Sequence, residues 1–188
     1  MARTSSTHLR RARPSWSLRT SLRPRGAGAV AAAATVGALA LSDGGPSVEA
    51  SLAVSYTVVL VVLAWIDLRQ RVLPNCIVLP AILFGLASAV VGAEPGLGAA
   101  LLGGLFAAAP FVLLFLMAPP GAIGAGDVKM AALVGLIAGV PSVFGALLIA
   151  TVTASVVAGI LRARRGAGRS HPMPYGPFLA LGGLATLL

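Results

Sequence analysis

Long apolar runs separated by short polar, glycine-rich or proline-rich breaks make up most of the chain. Runs of helical length lie at about 52–66, 76–91, 97–117 and 175–188. Another apolar run, 128–161, would make a single helix of roughly 51 Å at about 1.5 Å per residue, which a bilayer core of about 30 Å cannot hold as one span. We therefore expect a break near Pro141 and Ser142 that divides this run into two short helices.

Proline and glycine refine the predicted helix boundaries and contacts. The run at 52–66 stops at Asp67. The short basic loop that follows ends at Pro74, and this proline disfavours helix at the residue before it, Leu73. Gly103, Gly104 and Pro110 lie within the run at 97–117. They predict either a kink or a close contact between two helices.

Two further segments precede these runs. Residues 1–25 carry seven arginines among serine, threonine and proline with no acid to pair them, which predicts a disordered basic tail. Segment 26–41 is rich in alanine and ends in Ala38-Leu39-Ala40, so it predicts either an uncleaved extra helix or a signal-like segment. The pattern therefore predicts an all-α, polytopic transmembrane bundle of six core helices and one additional N-terminal helix.

The composition supports a membrane protein and excludes several other classes. Of the 188 residues, 57% are hydrophobic and 10% are charged, and the mean hydropathy is +0.94. This leaves too little polar surface to cover a soluble globule. The net charge of +9 does not indicate nucleic acid binding, because the basic residues lie between apolar runs and not on a polar face with aromatics. A single cysteine, Cys76, permits neither an internal disulfide nor a paired-cysteine zinc site.

The charged residues predict the orientation of the helices. All fourteen lysines and arginines fall in the N-terminal tail and in the loops that begin at 67, 119 and 162, which the positive-inside rule assigns to the cytoplasm. Three of the five acidic residues, Asp43, Glu49 and Glu94, then fall on the opposite side. The other two, Asp67 and Asp127, lie at the cytoplasmic side and so at the same membrane level.

These two carboxylates are the candidate chemistry, because an ionisable group at a membrane segment is costly and indicates function. Gly124-Ala125-Gly126-Asp127 predicts a flexible turn that brings Asp127 to the start of an apolar helix. Gly124 and Gly126 lack a Cβ, so an extended substrate strand could approach them closely. Two carboxylates held close cannot both ionise easily, so one can take a proton from water while the other, protonated, polarises a peptide carbonyl. Asp67 and Asp127 thus form a candidate aspartic dyad.

Simpler interpretations of individual residues stay open. Asp67 alone is also consistent with a helix-end carboxylate that pairs with Arg69 or Arg71. Lys129 is consistent with a cation that extends to lipid headgroups. Asn75 either shapes the turn into the next helix, together with the proline before it, or contacts substrate directly.

Alternatives also remain for the C-terminal residues and for the function as a whole. Tyr175 and Gly176 indicate packing or interfacial anchoring, and Trp65 fits a belt residue. A small proton-coupled transporter, in which the two acids relay protons, is the alternative function from a different class. A protease that cuts within a transmembrane helix is a third interpretation.

Three motifs in order resemble those of one family. They are Gly124-x-Gly126-Asp127 with Val128-Lys129, Asp67-x-Arg69-x-x-x-Leu73-Pro74-Asn75, and Pro174-Tyr175-Gly176-Pro177-Phe178-Leu179-Ala180. Each lies at the cytoplasmic end of a predicted helix, and together they resemble the type IV prepilin leader peptidases, GxGD membrane aspartic proteases related to archaeal preflagellin peptidases. The resemblance covers about 52–188, so we expect this region to be a prepilin peptidase-like domain and the segment before Ser42 to be an addition.

The resemblance implies an activity, a location and a set of site residues. The catalytic pair would be Asp67 and Asp127, and the residues that bind substrate or shape the site would be Gly124, Gly126, Lys129, Arg69, Pro74 and Asn75. The substrates would be prepilin or pseudopilin precursors, cut after a short basic leader at the cytoplasmic face of the bacterial inner membrane, with the lipid bilayer as the other partner. Neither a metal nor a cofactor is implied, and the oligomeric state is left open. Larger members carry an N-terminal cytoplasmic domain with paired CxxC motifs that this chain lacks, so N-methylation of the mature substrate is not expected.

Overall fold

The structure, a computed structural model, describes residues 48–117, 124–165 and 174–187. These residues form helices α1 (Val48–Gln70), α2 (Asn75–Val90), α3 (Leu97–Met117), α4 (Ala125–Ala138), α5 (Ser142–Arg165) and α6 (Gly176–Ala185). The described ranges contain no strand, so the predicted all-α class is confirmed. The predicted basic tail at 1–25 and the predicted extra segment at 26–41 lie outside the described residues.

Three of the described helices, α1, α3 and α5, are long and apolar enough to cross a membrane. Many large apolar side chains on them are exposed, among them Val61, Leu105 and Leu148. Such a surface suits lipid, where a helix satisfies its own backbone and presents apolar side chains outward. The protein is therefore a multi-pass membrane protein built as a helix bundle.

The break predicted near Pro141 is confirmed, because α4 ends at Ala138 and α5 begins at Ser142. Gly139 follows the last residue of α4 with φ of 62° and ψ of 177°, a conformation that is essentially restricted to glycine and ends the helix. Pro141 has no N–H with which to continue the hydrogen-bond pattern of α4. The result is two helices where a single one would be too long for a bilayer, although α5, at 24 residues, is not the short helix that was predicted.

The central helix is α4, whose residues from Met130 onward are nearly all buried. It crosses α3 at Gly103 and Gly135, where the backbones are so close that a Cβ on either glycine would meet the carbonyl oxygen of the other. Small residues permit such approaches between membrane helices. The close contact predicted at Gly103 is thus confirmed, and it holds the helix that carries Asp127.

The C-terminal helix α6 packs in the same manner against its neighbours. Gly182 meets the carbonyl oxygen of Ala146 in α5, and a Cβ on Gly183 would lie 3.0 Å from Leu60 Cδ1 in α1. Gly183 lies beside Leu60 and Gly176 beside Asp67, so α6 runs antiparallel to α1. The first residue of α6 therefore lies beside the last turns of α1.

The boundary predicted for α1 is wrong by one turn. The helix continues past Asp67 to Gln70, and the N–H of Arg71 still donates to the carbonyl oxygen of Asp67 at 2.8 Å. Arg71, with φ of 54°, then takes the left-handed conformation that ends the helix. Asp67 therefore lies on the inner face of a helix and not in the loop after it.

Candidate active site

Four helix termini meet at one end of the bundle, which we call the site end. The last turns of α1 supply Asp67, and the first turns of α2, α4 and α6 supply Asn75, Asp127 and Gly176 respectively. The first N–H groups of a helix have no partner within the helix, so they can hold anionic side chains. Two of these helix starts do hold a carboxylate.

Asp67 is buried with 4% of its surface exposed, and its Oδ2 atom accepts the backbone N–H of Gly176 at 3.0 Å. A buried carboxylate is costly without such a partner. No ion pair joins Asp67 to Arg69 or Arg71 in the described part of the chain. The guanidinium of Arg69 lies instead over the ring of Trp65, 4.5 Å from its centroid. The structure therefore does not support the alternative in which Asp67 pairs with Arg69 or Arg71.

Asp127 is the third residue of α4 and is half-buried. Its Oδ2 atom accepts the backbone N–H of Gly124 at 3.2 Å. The predicted flexible turn is thus wrong in part, since Gly124 caps the helix in an extended conformation and the next three residues form its first turn. An aspartate at this position satisfies a free N–H and interacts well with the positive end of the helix dipole.

The two carboxylates predicted as a pair lie at the same end of the bundle, and burial, together with the charge of Asp67, raises the pKa of Asp127. A neighbouring negative charge opposes ionisation, so a proton on Asp127 is favoured while Asp67 is ionised. This arrangement can keep one proton between them, as acid and base chemistry at a single bond requires. Across residues 48–117, 124–165 and 174–187, no three His, Cys, Asp or Glu side chains cluster in a way that could hold a metal ion.

Gly126 joins the two aspartate motifs through packing. A Cβ at this position would lie 3.1 Å from Leu73 Cβ and 3.3 Å from Leu73 Cδ1. Leu73 is itself buried, with 8% of its surface exposed. The space beside Gly126 is therefore filled by the loop between α1 and α2, which accounts for a glycine here.

Lys129 and Asn75 form a second link between the same two segments. The Nζ atom of Lys129 donates to Oδ1 of Asn75 at 2.8 Å. Pro74 precedes α2 in an extended conformation, and its carbonyl oxygen accepts the N–H of Ile77 at 3.0 Å. Lys129 is therefore bonded to the start of α2 and does not extend freely toward headgroups.

The contact of Gly176 with Asp67 is one that the sequence does not predict. The pattern indicates only packing or anchoring for Tyr175 and Gly176, whereas the structure has Gly176 donating to a buried carboxylate. The available signal is a glycine at the start of an apolar helix in a chain with few acids. It does not identify which acid the glycine would meet.

Comparisons with known proteins identify the family of the chain. A sequence profile of the type IV leader peptidase family matches residues 54–159, more than half of the chain. Among curated relatives, a prepilin leader peptidase/N-methyltransferase of Burkholderia pseudomallei is 36% identical over 160 residues, which are 82% of this chain and 51% of the relative. Proteins of the same name from Xanthomonas campestris pv. campestris (30% over 128 residues; 66% of this chain, 45% of the relative) and Pseudomonas aeruginosa (29% over 133 residues; 69% and 46%) also match.

The chain spans about half the length of the curated relatives that it matches. No solved structure matches it at a significant level. The matched region runs from α1 into α5 and includes both aspartates of the site. On this evidence the chain belongs to the type IV leader peptidase family.

Proposed function

We propose that this protein is a membrane aspartic endopeptidase that removes the leader peptide from type IV prepilin-like precursors at the cytoplasmic face of the bacterial inner membrane. The observation that carries the proposal is the pair of carboxylates at one end of an apolar bundle, Asp67 and Asp127, each bonded to a backbone N–H. Family membership supports the reaction class. The name of these relatives, prepilin leader peptidase/N-methyltransferase, supports the substrate class.

The proposed reaction uses both carboxylates and one water molecule. The ionised carboxylate takes a proton from water, the resulting hydroxide attacks the peptide carbonyl carbon, and the protonated carboxyl gives its proton to the carbonyl oxygen. The tetrahedral intermediate then collapses and the C–N bond breaks. The proton taken from water passes to the leaving amine, and the hydroxyl formed from the carbonyl oxygen returns its proton to the second carboxylate, which restores both groups. In the described residues each aspartate uses Oδ2 for its backbone bond, while Oδ1 makes no hydrogen bond to them and is left for water and substrate.

The position of the site suits the proposed substrate. A leader that directly precedes a hydrophobic helix has its scissile bond where the apolar bundle gives way to polar surface. The site end has this character, since it carries exposed basic residues such as Arg69 and Arg71, whereas Glu49 and Glu94 lie at the opposite end. By the positive-inside rule this distribution supports a cytoplasmic site. We infer that 52–188 is the peptidase domain and that 1–25 and 26–41 are additions to it.

The proposal is tested by cleavage of a prepilin-like membrane substrate with the purified protein in detergent. Asp67→Asn and Asp127→Asn are each expected to lower the rate by about 10²- to 10⁴-fold, because each removes an acid or base from the reaction. Glu94→Gln is the matched control, since it neutralises an exposed acid at the other end of the bundle. Cleavage that survives either aspartate substitution in folded protein would contradict the dyad.

The transporter interpretation is tested by measuring proton flux through the same proteins reconstituted in liposomes. Proton flux that requires Asp67 and Asp127, in a preparation that cuts no prepilin-like substrate, would replace the peptidase with a proton pathway. Cleavage without proton flux is the expected result.

A further inference from the structure

We propose that the backbone N–H of Gly176 is a positioning group for Asp67, so that the start of α6 is a third component of the catalytic site. This inference rests on the proposed peptidase function for its kinetic consequences, whereas the contact itself can be tested independently of catalysis. It adds a residue outside the two aspartate motifs to the machinery of the reaction.

The contact joins distant parts of the chain in a buried setting. Gly176 and Asp67 are 109 positions apart, and both residues are buried. The N–H of Gly176 donates to Oδ2 of Asp67 at 3.0 Å. By comparison, the bond from Gly124 to Asp127 spans three positions and is local to the start of α4. The conformation of Asp67 therefore depends on the docking of α6.

The carboxylate leaves no space for a side chain at position 176. A Cβ there would lie 2.6 Å from Oδ2, 2.9 Å from Cγ and 3.1 Å from Cβ of Asp67. These distances are below normal van der Waals contact, and all three atoms belong to a single side chain. The requirement for glycine at this position therefore comes from the carboxylate of Asp67.

The N–H of Gly176 is held in a fixed direction by its surroundings. Gly176 is the first residue of α6, so its N–H has no partner within the helix and lies at the positive end of the helix dipole. The ring of Tyr175 packs edge-on against Phe111 of α3, at 5.8 Å between centroids, and against Phe178 at 6.3 Å. The amide thus offers Asp67 a rigid donor that keeps Oδ2 engaged and leaves Oδ1 for the reaction.

Substitution of the glycine is the first test. Gly176→Ala is expected to lower kcat by about 10²-fold with KM unchanged, because displacement of a reacting group by about 1 Å has that effect while substrate binding persists. Gly159→Ala in α5 is the matched control, since nothing lies within 4 Å of a Cβ there, and it is expected to keep the parent kcat. Gly182→Ala would place a Cβ against the carbonyl oxygen of Ala146 in α5, and it is expected to lower the melting temperature.

A second pair of variants tests the proposal without adding atoms at position 176. Tyr175→Ala deletes the ring contacts without adding atoms beside Asp67, and it is expected to lower kcat in the same direction as Gly176→Ala. Tyr175→Phe keeps those ring contacts and is expected to leave kcat unchanged. A folded Gly176→Ala or Tyr175→Ala variant with parent kcat would overturn the proposal.

Carbon NMR tests the contact without any catalysis. The chain has only three aspartates, Asp43, Asp67 and Asp127, so protein labelled with ¹³C at the aspartate side-chain carboxyl gives three signals, and Asp67→Asn identifies one of them. Gly176→Ala is expected to move the Asp67 signal and to leave that of Asp43 in place, whereas Gly159→Ala moves neither. An unmoved Asp67 signal in folded Gly176→Ala would overturn the proposal. A moved signal in a protein that cuts no substrate would uphold the contact and count against the peptidase function alone.

Discussion

Leu73 and Gly126 show at the level of single residues how two distant motifs become parts of one site. Leu73 belongs to the loop between α1 and α2, and Gly126 to the first turn of α4. The leucine fills the space that a side chain at position 126 would take, within 3.1–3.5 Å of a Cβ there. The loop after Asp67 is thereby fixed against the helix that carries Asp127.

We expect Gly126→Val to destabilise the protein by about 1–3 kcal/mol, because the added side chain overpacks the contact with Leu73. Leu73→Ala should cost about 2–5 kcal/mol through the cavity it leaves. The double variant should lose less than the sum of the two, since the smaller residue makes room for the larger. Thermal unfolding in detergent measures all three, and full additivity would contradict the contact.

Lys129 and Asn75 are the polar counterpart of this packing contact. Both residues are at least partly exposed, so their hydrogen bond is screened by solvent and its contribution is small. We expect Lys129→Met and Asn75→Ala each to reduce stability by at most about 1 kcal/mol. The double variant should lose no more stability than either single variant, because each substitution alone already removes the same hydrogen bond. Two independent losses would show that the residues act separately.

The predictability of the site differs from residue to residue. The location of Asp67 and Asp127 at the same end of the bundle could be predicted, because acids are rare in this chain and the charged loops place both at one membrane level. The partners of Lys129 and Gly176 could not, because they lie 54 and 109 positions away and hydropathy carries no information on such distances. Gly126 has a close packing partner, Leu73, that its conformational freedom alone does not indicate.

At the level of helices, the crossing of α3 and α4 determines where Asp127 lies. Gly103 and Gly135 meet backbone to backbone, and the N–H of Val140 donates to the carbonyl oxygen of Ala99 at 3.2 Å near the same crossing. Such close packing is the main attraction between helices in lipid, where burial of apolar surface provides little. The position of α4 therefore depends on residues without side chains.

Gly135→Ala is expected to lower the melting temperature in detergent, because its Cβ would lie 2.6 Å from Ala107 Cβ and against the carbonyl oxygen of Gly103. The cost should be about 1–3 kcal/mol, as for other overpacked cores. Gly145→Ala in α5 is the comparison, since a Cβ there meets nothing within 4 Å. Equal melting temperatures for the two variants would show that α3 and α4 can move apart at Gly135 without loss of stability, and would contradict this prediction.

Helix boundaries were predictable where a breaker residue or a change of hydropathy defines them. The run at 97–117 matches α3 at both ends, and Pro141 separates α4 from α5. The boundaries near the site were not predictable, because both aspartates lie inside helices whose ends depend on local hydrogen bonds. Asp67 is followed by a further turn, and Asp127 lies in the first turn of α4.

For the whole molecule, the charges divide the described chain into two ends. Arg69, Arg71 and Lys129 lie at the site end, while Glu49 and Glu94 lie at the other. The proposed orientation places the site end in the cytoplasm, following the positive-inside rule. It also determines which end of the bundle a reagent outside the cell can reach.

The single cysteine of the chain, Cys76, provides a direct test of this orientation. It is exposed in the first turn of α2, at the site end. In intact cells a membrane-impermeant maleimide is expected to leave Cys76 unmodified, and permeabilised cells should react fully. The matched control is Cys76→Ser with Glu94→Cys, which moves the thiol to the exposed turn between α2 and α3 at the opposite end, where intact cells should react. Labelling of Cys76 in intact cells together with protection of the thiol at position 94 would invert the topology, and a cytoplasmic peptidase site would then be excluded.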